Sequence, residues 1–269
     1  MFDYHVHTRF SPDARMSMLA ACRRALEIGL TEISFTDHLD YYYPGSPLKW
    51  EFEYRDYARE IERCAESAGG GLRVLKAVEL GLHPAANERN AAFIKTHAFD
   101  FVIGSVHIVG DKDLDNGRFF VGRSLGEAGR LYLEAVNRNV RAFPHFNVLG
   151  HADLFKRYLH FLSCRPEDID WSLYWDIVED TFKVLIASGR GIEVNTSGYR
   201  NALRCTYPGL ELLKLYRRLG GEVVTLGSDA HRPEHVGLRF DLGRELLLAA
   251  GFRYVAAFRG GRPRFVPLE

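Results

Sequence analysis

The sequence predicts an α/β protein in which a parallel sheet closes into a barrel. Short β-like runs alternate with longer helix-like segments about seven times, and that alternation returns each strand to the same end of a parallel sheet. The 269 residues match the roughly 250 that an α/β barrel needs. No Gly-rich nucleotide fingerprint follows the first strand, which weakens the competing doubly wound open sheet.

Residues 2–7 alternate in polarity and read as a strand. Residues 16–28 have helical spacing and stop at Gly29, a C-cap. A β-like run follows at 32–36, then a helix at 53–67 halted by Gly69-Gly70-Gly71. Residues 73–78 are β-like and 85–96 helical. Residues 99–106 are strongly β-like, and the long helix 125–143 ends before Pro144. The second half repeats the rhythm: strand 146–149, helix 171–187 to Gly189, strand 191–195, and helix 209–219 between Pro208 and Gly220. Strand 222–226 and helix 234–250 come last. Residues 254–258 and 264–266 either add terminal strands or close the fold. Residues 44–47 and 111–117 read as loops. No linker or low-complexity tract interrupts the chain, so a single domain over 1–269 is expected.

Lys+Arg and Asp+Glu both number 35, and the zero net charge offers no general footprint for nucleic acid. Arg outnumbers Lys, which favours two-pronged contacts to oxyanions wherever an Arg faces a pocket. Cys22, Cys64, Cys164 and Cys205 form no C-x-x-C pair, which speaks against a thiolate zinc site, a redox motif or a disulfide scaffold. A reducing cytoplasm is therefore expected. Met1-Phe2-Asp3-Tyr4-His5 shows no secretory leader. No run reaches the roughly 20 apolar residues of a membrane helix, so neither a membrane nor nucleic acid is expected as a partner. Oligomeric state stays open.

The informative residues fall at the trailing ends of the strands. His5-Val6-His7 ends the first, Asp37-His38 follows the second, Glu79 ends the third, His107 the fourth and His151 the fifth. Asp229-Ala230-His231 follows the last strong strand. In a parallel barrel these ends share one rim. His5 and His7 are two apart, so both rings face one side and can bind a cation such as zinc, iron or manganese. Glu79, in Ala77-Val78-Glu79-Leu80-Gly81, ends an apolar run and needs a counter-charge: either an Arg or Lys, or cations that it bridges. Singly, each histidine fits an ordinary hydrogen-bonded role. As a set they indicate metal. The set exceeds the three protein ligands of a simple catalytic zinc, so two or three ions are expected. Clustered cations clamp phosphate oxygens and lower the pKa of bound water, which suits phosphoester hydrolysis.

The combination of H-x-H, T-D-H, a strand-end Glu, S-x-H, G-H-x-D and S-D-x-H, spanning positions 5 to 231, resembles the PHP (polymerase and histidinol phosphatase) superfamily. The resemblance implies a distorted (β/α)7 barrel with three divalent transition-metal ions (Zn, Fe or Mn) at its C-terminal face. Carried over by motif, His5, His7, Glu79 and Asp229 hold the first ion. Glu79, as the bridge, holds the second with His107 and His151. Asp13, His38 and His231 hold the third. Asp13 departs from the pattern, since other members carry His there; without it the third site is weaker or absent.

The segments 7–13, 150–158 and 193–200 are similar to the stand-alone histidinol-phosphate phosphatase branch, and no polymerase domain is attached. That branch implies a small-molecule phosphomonoester substrate, L-histidinol phosphate, hydrolysed to L-histidinol and phosphate in histidine biosynthesis. A metal-bridging hydroxide is the implied nucleophile, and Asp229 or His231 the proton relay to the departing alkoxide. Arg157 and Arg200, after strands five and six, are expected to hold phosphate. Ser105 is a candidate for orienting His107 or substrate, and Tyr41, Tyr42, Tyr43 and Trp50 for a pocket wall. His235 lies close after the 229–231 motif as a candidate behind the ligands; His83, His97, His145 and His160 lack such a context. Two alternatives stand beside this reading: a PHP hydrolase acting on another mono- or diester, and a non-catalytic metal-binding regulatory domain.

Overall fold

The computed structural model describes residues 1–200 and 203–268. In chain order its elements are β1 (Phe2–Val6), α1 (Met18–Glu27), β2 (Glu32–Phe35), β3 (His38–Leu39), α2 (Tyr54–Ala68), β4 (Arg73–Gly81), α3 (Asn87–Thr96) and β5 (Phe101–Ser105). Next come β6 (Ile108–Val109), β7 (Lys112–Asp113), α4 (Leu125–Ala142), β8 (Val148–Leu149), α5 (Trp175–Ala187) and β9 (Gly191–Asn195). The chain ends with α6 (Leu210–Arg218), β10 (Val224–Gly227), α7 (Phe240–Ala249), β11 (Tyr254–Arg259) and β12 (Arg262–Pro267).

Seven strands stand side by side in the order β1-β2-β4-β5-β8-β9-β10. Every residue of β1, β2, β5, β9 and β10 is buried, as expected for a parallel sheet covered on both faces. The two ends of the series meet through backbone bonds: His7 N–H donates to the Ala230 carbonyl at 2.8 Å, and Ala230 N–H to His5 at 3.3 Å. Sequential order with closure rules out the doubly wound sheet, whose strand order reverses. The result is a distorted (β/α)7 barrel in a single domain. Its distortions are concrete. Register shifts between Asp3 and Val6, and β3 continues β2 after a break, placing His38 opposite Glu79 on β4.

Several boundaries differ from the sequence expectation. α1 starts at Met18 because the Ser17 side chain accepts the Ala20 N–H and caps it. The last helix starts at Phe240, after a separate 3-10 turn at Pro233–His235. Leu154–Leu162, expected as neither helix nor strand, winds as a 3-10 helix. The segment 111–117, expected as a loop, contains β7, which pairs antiparallel with β6 just before it to form a short hairpin. β11 and β12 form an antiparallel hairpin at the N-terminal end of the barrel. There Gly261 N–H donates to the Asp100 carbonyl at 2.9 Å, and Phe258 packs on Phe101 and Tyr4. Among the described residues no helix is long and apolar enough to cross a membrane.

Candidate metal centre

At the opposite end of the barrel, imidazoles and carboxylates converge. His5 and His7 point the same way along β1, and their Nε2 atoms stand 2.9 Å apart. Two ring nitrogens facing each other that closely must share a proton or a cation. The Glu79 carboxylate lies at the middle. Its Oε2 is 3.0 Å from His38 Nδ1, 3.4 Å from His5 Nε2 and 3.5 Å from His7 Nε2. Its Oε1 is 2.9 Å from His151 Nε2 and 3.5 Å from His107 Nε2. Asp229 Oδ1 sits 3.5 Å from both His7 Nε2 and His231 Nδ1, and 4.0 Å from His5 Nε2. Asp13 Oδ2 is 2.9 Å from His231 Nε2 and 3.7 Å from His38 Nε2.

These separations suit metal ligation. Ligands about 2.1 Å from a tetrahedral ion stand about 3.4 Å from one another. Among the described residues four overlapping triads bring their donor atoms within 4.8 Å: His5/His7/Asp229, His5/Glu79/His151, His38/Glu79/His107 and His7/His38/His231. Glu79 Oε2 and His38 Nδ1 are fully buried, yet neither makes a properly directed hydrogen bond. Such orphaned atoms, in a donor set of imidazole and carboxylate, fit transition-metal ions.

Behind the cluster stand carboxylates without an expected role. Glu193, on β9, holds His5 Nδ1 at 2.6 Å and accepts the His151 N–H at 3.0 Å. Asp40 holds His107 Nδ1 at 2.9 Å and lies 3.4 Å from His38 Nδ1. Ser11 links His7 Nδ1 to Asp37 at 3.1 and 2.7 Å. Carboxylates behind an imidazole fix its orientation and raise its basicity as a ligand. Glu193 carries the same signal as Glu79, a lone acid in an apolar strand. Asp40 lies two residues beyond His38, on the same side of the chain.

The charges interlock. Burial opposes protonation of His5, but Glu193 and Glu79 lift its pKa well above the ordinary imidazole value. His38 is raised in the same way against burial, chiefly by Glu79 and Asp13. His107 rises to about 9, with Asp40 and Glu79 outweighing burial. Burial and the neighbouring His231, His38 and His5 push His7 well down. Burial disfavours ionised Glu79 and Asp229, yet the surrounding cations hold both well below the carboxylate range. Two members of the site carry backbone strain, His151 at φ 23° and Asp229 at φ 54°. Non-glycine residues at positive φ concentrate where function over-determines the backbone.

The PHP domain family model matches residues 3–197. The chain belongs to the PHP domain family. Relatives of this PHP domain include the histidinol-phosphatase of Lactococcus lactis subsp. lactis (strain IL1403), 30% identical over 259 residues, which cover 96% of this chain and 94% of that one. A Deinococcus radiodurans protein named "Probable histidinol-phosphatase" is 30% identical over 243 residues, 88% of this chain and 89% of its own. Among solved structures, histidinol phosphate phosphatase from Lactococcus lactis, complexed with zinc, L-histidinol and phosphate, superposes with a TM-score of 0.88, covering 98% of each chain at 30% identity.

In this PHP domain the pocket over the cluster has a volume of about 240 Å³. A neighbouring cavity of about 770 Å³, which reaches Arg165 and Glu167, shares Arg157 and Tyr158 with it but holds none of the clustered imidazoles. Arg157 Nη2 donates to Asp229 Oδ2 at 2.7 Å and to Ser197 Oγ at 2.6 Å, and Arg200 Nη2 stands 3.5 Å from the same carboxylate oxygen. Asp229 thus turns one oxygen to the histidines and the other to the arginines. Ser105 differs from the expectation of a substrate contact or a partner for His107. It is fully buried and its hydroxyl donates to Glu79 Oε1 at 2.6 Å, because β4 and β5 pair with Gly81 opposite Ser105. Of the aromatic candidates, Tyr43 and Trp50 line the pocket. Tyr41 packs under Arg89, and Tyr42 stacks on His83. His235 has no place in the ligand triads.

Proposed function

We propose that this PHP domain is a metal-dependent phosphomonoesterase that hydrolyses L-histidinol phosphate to L-histidinol and phosphate. The observation that carries the reading is Asp229, which faces His7 and His231 through one oxygen and Arg157 through the other. A cation-binding cluster and a guanidinium thereby border one pocket, as a phosphate ester requires. Near full-length similarity to histidinol-phosphatases supports the choice of ester.

The reading assigns His5, His7, Glu79 and Asp229 to one ion, Glu79, His107 and His151 to a second, and Asp13, His38 and His231 to a third, with zinc, iron or manganese in each. When bound, such ions act as Lewis acids on phosphate oxygens and make water a stronger nucleophile at neutral pH. The chain's own groups do the rest. Arg157, with Arg200 beside it, orients the phosphate. Asp229 stays ionised beside two arginines and is a poor proton donor; His231, at the rim between Asp229 and Asp13, relays a proton to the departing alkoxide only where it does not itself hold the third ion. A cytoplasmic setting goes with this reading, since all four cysteines stand unpaired.

One purified preparation tests it. Metal content is measured first, then turnover of histidinol phosphate, a generic aryl monoester and a diester. The expected order places histidinol phosphate above the aryl ester by at least about tenfold in kcat/KM. Turnover of the diester alone would replace the proposed substrate.

A further inference from the structure

The pocket bordered by Arg157 and the clustered histidines is also lined by residues outside the proposed ligand set. Tyr43, Trp50 and Asp113 are among them. The Tyr43 and Trp50 rings stack at 4.5 Å with 9° between their planes, and Trp50 stands edge-on to His38 at 5.1 Å. Asp113, on the β6–β7 hairpin, is 9% exposed. Both of its side-chain hydrogen bonds fall on Oδ1, from Tyr43 OH at 3.1 Å and from Asp115 N–H at 2.8 Å. Oδ2 has no partner, and Asp113 enters no ion pair among the described residues. That oxygen is not fully buried and is open to solvent; His107 is the neighbouring basic group whose charge acts on the carboxylate, and Oδ2 is left able to accept from a cationic ligand.

We infer that Asp113 is a specificity-determining residue that receives the protonated amine of a cationic alkyl phosphomonoester. This rests on the phosphatase reading above and adds to it the group that selects the substrate. In histidinol phosphate the ammonium-bearing carbon is bonded to the carbon that carries the phosphoester oxygen. Phosphate and ammonium must therefore lie in the same small pocket. Arg157 and the metal-binding cluster suit the dianion, and Asp113 suits the cation. Stacked Tyr43 and Trp50 add ring faces that favour a cation. A charge-assisted bond in such a site is stronger than a neutral one, and an ester lacking the amine forgoes it and leaves Oδ2 to water.

The test compares the metal-loaded wild type with Asp113→Asn, an isosteric change. Two esters are used, L-histidinol phosphate and its analogue lacking the amine, imidazolylpropyl phosphate. The wild type should prefer the amine by at least about tenfold in kcat/KM, and the variant should lose most of that preference, mainly through KM. Calorimetric binding of L-histidinol with phosphate present gives a readout apart from turnover, and its Kd should weaken by about tenfold or more. Equal preference in wild type and variant, or a wild type that treats the two esters alike, overturns the role of Asp113 and leaves the phosphatase reading standing. A wild type that turns over neither ester while hydrolysing a diester ends that reading, and the proposal with it.

Discussion

Glu79 holds five imidazoles within 3.5 Å of its two oxygens, from His5, His7, His38, His107 and His151. Replacing one oxygen by an amide nitrogen puts a donor where only acceptors and cations fit. Glu79→Gln should lose at least about half of its bound metal and about two orders of magnitude in turnover, with an unchanged circular dichroism spectrum. Metal content by mass spectrometry decides it; full occupancy with normal turnover would remove the bridge. Glu193→Gln acts one step back, through His5, and should weaken metal affinity by about 10- to 100-fold in chelator competition. An unaltered affinity would make Glu193 a packing residue. Glu79 and the strand-end histidines were legible because each stands at a local, readable position. The partners of their far ring nitrogens were not: Asp40 is 67 residues from His107, and Glu193 is 188 from His5.

Strand ends need room for these carboxylates, and glycine provides it. A Cβ on Gly81, the last residue of β4, would sit 1.9 Å from Asp40 Oδ1. On Gly227, at the end of β10, it would meet Glu193 Oε1 at 2.2 Å. Gly81→Ala should therefore displace Asp40, lower stability by about 1–3 kcal/mol and weaken metal binding by about tenfold. Thermal melting and metal titration check the two effects separately; loss of stability with undisturbed metal binding would detach Asp40 from the site. Element existence was largely readable from periodicity, and boundaries less so. Ser17 shortens α1 by a side-chain cap that competes with the helical pattern before it. Leu154–Leu162 was missed because tertiary contacts stabilise it: Lys156 pairs with Asp153 at 2.6 Å and donates to the Thr206 carbonyl at 3.0 Å.

Across the whole molecule, the cluster joins side chains from both ends of the strand series. His5 and His7 come from the first strand and Asp229 from just beyond the last, beside the two backbone bonds that close the barrel. Metal bound there tightens the closure and favours the folded chain by mass action. Treatment with a strong chelator should lower the melting temperature by several degrees, and added zinc should restore it; about 100-fold saturation over Kd contributes about 2.7 kcal/mol. Calorimetric melting that ignores both additions would separate the cluster from metal binding.

The amino-acid sequence by itself determined which residues carry ligand chemistry and that they share one rim. Strand period and strand-to-helix alternation are local properties, and parallel strands necessarily end together. Only the tertiary structure decided which oxygen faces which nitrogen. It moved Ser105 to Glu79, set Glu193 and Asp40 behind the imidazoles, and left Asp113 with a free oxygen at the pocket. Those pairings depend on differences of about an ångström between groups far apart in the chain, and hydrogen bonding and ligation change sharply over that distance.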